Sequence, residues 1–146
     1  MGTRKTAKEL YPGMGEDFYG PDNYSPIIES LGDAVALRFD TDDYTGDSWV
    51  IYRNKKGWSF LNFGWGSCSG CDALQSCSTY EEIDALIGRL EQSIRTFQSA
   101  KEALIFFVSH DWGGDYSWAN DTFYHFLVAA RRLLLTELEH EEAKEL

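Results

Sequence analysis

Basic side chains are scarce in this sequence: 13 Lys and Arg stand against 24 Asp and Glu, giving a formal net charge of −11 over 146 residues. Nucleic acids and anionic membranes are held by a Lys/Arg field that replaces counterions, so this balance argues against direct nucleic-acid reading and against membrane-surface attachment. Long apolar runs are missing as well. None approaches the roughly 18 residues of a membrane span, and Met1 to Lys5 opens without the hydrophobic stretch of a signal peptide. Cysteine is limited to Cys68, Cys71 and Cys77, an odd number within one short segment, unlike the distributed framework of a secreted disulfide fold. The expectation is a protein of the reducing cytoplasm whose thiols are free, metal-bound or transiently paired. Only three histidines occur, and no G-x-S-x-G, phosphate loop, dinucleotide fingerprint or H-E-x-x-H is found. Standard nucleotide and hydrolase chemistry has no footing, and the reading leans away from an enzyme.

Apolar and aromatic material is plentiful. Hydrophobic residues make up 43% and aromatics 15% of the chain, enough buried surface to offset ordering entropy and to exclude a disordered acidic chain. The length is that of one domain, residues 1–146. Acidity is spread along it but strongest over residues 99–146, with four basic and nine acidic side chains. Such a surface serves solubility, or it engages a basic protein surface of the kind that normally holds nucleic acid.

The expected fold class is α+β, with an irregular N-terminal arm, a three-stranded antiparallel sheet and about three helices packed on it. Residues 1–33 hold all three prolines, and Tyr11, Phe18, Tyr19 and Tyr24 suit an arm that packs on the domain. Within the arm, Ser25-Pro26 through Gly32 carries a helix start and stop, predicting one or two turns. Residues 34–64 read as a β-meander with strands Ala34 to Asp40, Ser48 to Arg53 and Trp58 to Phe63. Trp58, Phe60 and Asn62 alternate with Ser59, Leu61 and Phe63, so both faces are partly apolar. Helices should cover one face and the arm some of the other. Residues 65–78 form a Cys/Gly turn, and residues 79–146 are helical. Thr79-x-x-Glu82 opens a helix through Ile83, Leu86, Ile87, Leu90, Ile94 and Phe97. Ser99-x-x-Glu102 opens a second over Ala103 to Val108, and a third begins near Asn120 or Asp121, its last turns from Glu137 expected to protrude or fray.

Gly64-Trp-Gly-Ser-Cys68-Ser-Gly-Cys71-Asp72, with Cys77 beyond, is the stretch richest in chemistry. A C-x2-C knuckle can place two thiolates on one zinc ion, with Cys77 as third ligand and His110, His125, His140 or a carboxylate as fourth. A C-x-x-C at a helix N-terminus can alternatively cycle as a dithiol. The third reading is structural: small thiols and glycines where strand, turn and helix meet, with Asp72 capping a short helical turn. His110-Asp111 matches a phosphohydrolase dipeptide but lacks the companion ligands. Asp40, Asp42, Asp43 and Asp47 surround the first hairpin turn without the glycine and glutamate of an EF-hand, which favours a solvated turn. Trp112, Tyr116 and Trp118 lie on a glycine-rich loop and are candidate partner-binding anchors, because Trp and Tyr present large contact area at small entropy cost.

The motif Gly64-Trp-Gly-Ser-Cys-Ser-Gly-Cys-Asp-Ala-Leu-Gln75, followed by a helix and then by Asp111-Trp112 and Tyr116-Ser-Trp118, resembles small acidic proteins of bacteriophages and actinobacteria whose function is unknown. The resemblance covers about residues 34 to 135 and brings no catalytic residue or cofactor. It implies a phage-type accessory protein working in the host cytoplasm. The function expected is a noncatalytic, acidic protein-binding module, an inhibitor of a host nucleic-acid enzyme or defence complex, with Trp112, Tyr116 and Trp118 at the contact. The competing class is a structural zinc or thiol-redox protein built on Cys68, Cys71 and Cys77.

Overall fold

The structure, a computed structural model, describes residues 4–41, 46–68, 70–112 and 120–145. It is α+β, with elements in the order α1 (Ala7–Leu10), α2 (Ser25–Ser30), β1 (Ala34–Asp40), β2 (Gly46–Asn54), β3 (Gly57–Trp65), α3 (Tyr80–Ser93), β4 (Arg95–Phe97), α4 (Ala100–Ser109) and α5 (Asn120–Lys144). The sheet is antiparallel in the order β1-β2-β3-β4. Its centre is the β2–β3 hairpin, in register from Gly46 opposite Trp65 to Asn54 opposite Gly57. Gly57 has φ +127°, and a Cβ there would lie 2.1 Å from the Phe97 carbonyl oxygen, so the hairpin closes only with glycine.

Strand alternation gives the sheet two apolar faces, and each receives its own helices. Val50, Tyr52, Leu61 and Phe63 pack against α1, α2, α3, Leu74 and Cys77. Trp49, Ile51, Trp58 and Phe60 pack against α4 and α5 through Phe107, Phe126, Ala130 and Leu134. The arm covers one face as the sequence suggests, but it shares that face with α3. It is tied there by Ala7 N–H to Asp84 Oδ1 (2.8 Å), Met14 N–H to the Tyr80 hydroxyl (3.1 Å) and Phe18 N–H to the Ser78 carbonyl (3.1 Å). Tyr19 departs from the packed-arm expectation, being 93% exposed.

Several expectations need correction. The sheet has a fourth strand and the described residues hold five helices. Helix α3 ends at Ser93: Ile94 turns extended (φ −69°, ψ 132°), and Arg95–Phe97 pairs with Trp58–Phe60. Spacings of three and four fit a helix, yet here they straddle the sheet rim, with Ile94 against one core and Phe97 in the other. Helix α1 was hidden in the arm although Thr6 and Glu9 form a full capping box. In α2 the cap position is Tyr24 and Ser25 is already helical, its N–H held by Asn23 Oδ1 at 2.9 Å. Of the two outcomes expected for its end, α5 shows protrusion, with residues 142–145 exposed, and it stays helical through Lys144. Glu137 there accepts two hydrogen bonds from Arg53, and Glu141 accepts from the first N–H of α4, Ala100, at 3.1 Å. Among the described residues no helix is long and apolar enough to cross a membrane.

Candidate functional site

The Cys/Gly turn follows β3 directly and is built on Asp72, which is only 2% exposed. Its Oδ1 accepts from Gly66 N–H (2.9 Å) and from the Tyr24 hydroxyl (3.0 Å), while its Oδ2 accepts from Gln75 N–H (2.9 Å). Ser76 N–H returns to the Asp72 carbonyl at 3.0 Å, so Asp72 caps a short helical turn as its position in the sequence suggests. The Tyr24 hydroxyl also accepts from Leu74 N–H (3.1 Å), and burial followed by the Asp72 carboxylate pushes its ionisation well above the usual phenol range. Gly66 is required by close approach: a Cβ would lie 2.5 Å from the Cys71 carbonyl oxygen and 2.9 Å from its Sγ.

This anchor holds two exposed thiols together. Cys71 and Asp72 N–H both donate to the Cys68 carbonyl (3.0 and 2.9 Å), and the Cys68 and Cys71 Sγ atoms stand 2.7 Å apart. Cys68 N–H points at Cys71 Sγ (3.0 Å), and the Ser67 hydroxyl lies 3.9 Å from it. The Cys68 thiol beside Cys71, aided by the Cys68 and Ser67 groups, holds the Cys71 thiol below its ordinary value, which favours the nucleophilic thiolate.

Cys77 is different. It is buried, its thiol donates to the Ala73 carbonyl (3.3 Å), and burial together with the Glu82 carboxylate pushes its ionisation up. The three cysteines thus divide into an exposed pair and a core residue. Among the described residues no three His, Cys, Asp or Glu side chains come together as a metal-holding group. His110 stacks on Phe106 (centroids 4.8 Å apart) and meets Trp112 edge-on (4.5 Å), while His125 and His140 are exposed on α5.

The candidate partner anchors fare unequally. Trp112 is half-buried and packs against Phe106, Phe107 and Phe123 with centroids 5.2–6.0 Å apart, so it closes one end of the α4–α5 core. Tyr116 and Trp118 lie outside the described residues, as do Asp42 and Asp43. Around the same hairpin, Asp40 is paired with Arg38 (3.1 Å), and Asp47 is buried, with burial raising its carboxyl pKa. Asp40 is exposed, as a solvated turn requires, whereas Asp47 departs from that expectation by being buried. Beside Gly66, an open cleft of about 260 Å³ is lined by Arg38, Asp40, Ser48 and Trp65. Its one cation is already neutralised by Asp40 and bonded to the Ser25 hydroxyl (2.9 Å).

A surface that the sequence reading passed over lies on the outer side of α4 and α5. Ile105 and Val108 are 56% and 60% exposed, and Tyr124 and Leu135 are exposed as well. Tyr124, Arg131 and Leu135, seven and four residues apart, share one side of α5. The Arg131 guanidinium donates twice to the Phe107 carbonyl (3.0 and 2.8 Å), which draws that side toward the last turn of α4, where Val108 sits. The signal was present in the spacing: Ala100, Ala103 and Phe107 form the inward stripe of α4, leaving Ile105 and Val108 off it.

Comparison with known protein families, curated proteins and solved structures gives no match to this chain.

Proposed function

We propose that this chain is a noncatalytic protein-binding module that docks the outer side of α4 and α5 onto a protein with a basic surface. The observation that carries the reading is the exposure of Ile105, Val108, Tyr124 and Leu135 within the most acidic part of the chain. Apolar side chains supply contact area that gains by leaving water, and surrounding carboxylates select a cationic partner and speed encounter. Exposed Asp111, Asp121 and Glu139 lie on the same two helices and their connection beside exposed Lys101 and Arg132, and the balance of nine acidic to four basic side chains over residues 99–146 leaves the net charge negative. Trp112 packs into the core beneath α4 and α5 and precedes in sequence the segment that carries Tyr116 and Trp118.

The resemblance at Gly64 to Gln75 supports a bacteriophage setting. In that setting the partner is a host nucleic-acid enzyme or defence complex in the cytoplasm, whose anion-binding surface an acidic protein occupies. The test is capture from a bacterial lysate with the wild-type protein and with the paired variant Ile105→Glu and Val108→Glu. The reading expects one stoichiometric partner, released by high salt and lost from the variant. A partner retained equally by the variant, or the absence of any salt-sensitive stoichiometric partner, overturns it.

A further inference from the structure

Cys68 and Cys71 take no part in the docking surface, and their arrangement calls for its own account. The geometry points to a reversible redox site in which these two cysteines form an intramolecular disulfide by exchange with a small disulfide of the glutathione class. Their sulfurs are 2.7 Å apart, inside van der Waals contact and only about 0.7 Å beyond a covalent S–S bond. Both are exposed, so a small disulfide can reach them.

The two ends of the C-x2-C segment are held close by hydrogen bonds among the described residues. Cys71 N–H and Asp72 N–H converge on the Cys68 carbonyl, and Asp72 is clamped by Gly66, Tyr24 and Gln75. With the two sulfurs already adjacent, the effective concentration of one thiol at the other is high, which favours the intramolecular product over a mixed or intermolecular one. The Cys68 N–H and the Ser67 hydroxyl face Cys71 Sγ and stabilise negative charge there. Cys77, buried with its thiol on the Ala73 carbonyl, stays outside the exchange.

The step balances as ordinary thiol–disulfide exchange. Cys71 thiolate attacks one sulfur of the small disulfide; a bond forms to Cys71 Sγ, the small S–S bond breaks, and the leaving thiolate takes a proton. Cys68, losing its proton to solvent, then attacks Cys71 Sγ and expels the second small thiol. Two electrons pass from the protein to the small disulfide, which becomes two thiols. Excess reduced thiol reverses the sequence.

The experiment uses the full, reduced chain and oxidised glutathione as the probe, followed by alkylation under denaturing conditions and mass spectrometry of peptides. The expected product lacks two hydrogens, has Cys68 joined to Cys71, and carries alkylated Cys77. Added reduced glutathione should restore three alkylated cysteines. Cys68→Ser, checked for folding by circular dichroism, should instead accumulate a glutathione adduct at Cys71, forming at least about tenfold faster than any adduct at Cys77. Resistance of the pair to oxidised glutathione, including resistance caused by a stoichiometric zinc ion on the thiols, overturns the inference. So does a bond that includes Cys77 or joins two chains, or a folded Cys68→Ser protein without the Cys71 adduct.

Discussion

The hydroxyl of Tyr24 donates to the carboxylate of Asp72 at 3.0 Å, joining the N-terminal arm to the Cys/Gly turn across 48 residues of sequence. The same hydroxyl accepts from Leu74 N–H, so one phenol satisfies a buried acceptor and a buried donor. Tyr24→Phe keeps the ring on Phe63 (centroids 4.9 Å apart) but strips both bonds. Leaving these groups short of partners should cost about 1–3 kcal/mol, read as a lower urea midpoint with an unchanged slope.

Two carboxylates should impose opposite pH dependences. Ser78, through its hydroxyl and then its N–H, and Thr79 hold Glu82 below the ordinary carboxyl value. Folding thus favours the ionised form, and its contribution is complete above the unfolded pKa and lost as pH falls through the folded one. Glu82→Gln should therefore lower the melting temperature at neutral pH and converge on the wild type in acid. Burial raises the Asp47 carboxyl. Folding there favours the protonated form, so stability declines as pH rises from the unfolded value through the folded one. Asp47→Asn should melt above the wild type at neutral pH, with the gap closing in acid. Thermal melts from about pH 3 to 7 decide both signs.

Each face of the sheet should be indispensable to the other. Ile87 and Phe107 are fully buried on opposite sides. Ile87→Ala should cost about 2–5 kcal/mol and Phe107→Ala about 3–5 kcal/mol. Because β2 and β3 contribute side chains to both faces, each loss should appear as one shifted transition at all probes, with no separate melting of one layer.

Gly57→Ala tests the hairpin. The positive φ and the 2.1 Å approach to the Phe97 carbonyl act together, so the added methyl must displace β4 from the edge of β3. The expected loss exceeds about 1 kcal/mol, with faster amide exchange at Arg95 to Phe97 than in the wild type.

Much of the architecture was legible because local signals and tertiary packing agree. Strand β1 has the predicted bounds, and Thr79 and Ser99 cap α3 and α4 as their spacing requires. Failure came where a pattern fits two structures. Leu90, Ile94 and Phe97 satisfy a helical period, but only a folded sheet reveals that Ile94 and Phe97 belong to opposite cores. The charged end of α5 is largely exposed, as its composition suggests, but the ties of Glu137 to Arg53 and of Glu141 to the Ala100 N–H join residues remote in sequence and could not be read from that composition. At the turn, glycine spacing and Asp72 announced a tight structure, whereas the separation of Cys77 from the other two thiols depends on burial that spacing cannot report.

The crossing of the chain at β4 has a bearing on synthesis. One helical layer is assembled from segments on either side of the meander, and its closure brings Ala7 to Asp84, 77 residues apart. The other layer comes entirely afterwards, from α4 and α5. A nascent chain that has emerged only as far as Gln98 therefore contains every element of the first layer while Trp49, Ile51, Trp58 and Phe60 still lack their helices. Until the last third of the protein leaves the ribosome, that bare aromatic face is the surface on which newly made chains would adhere to one another.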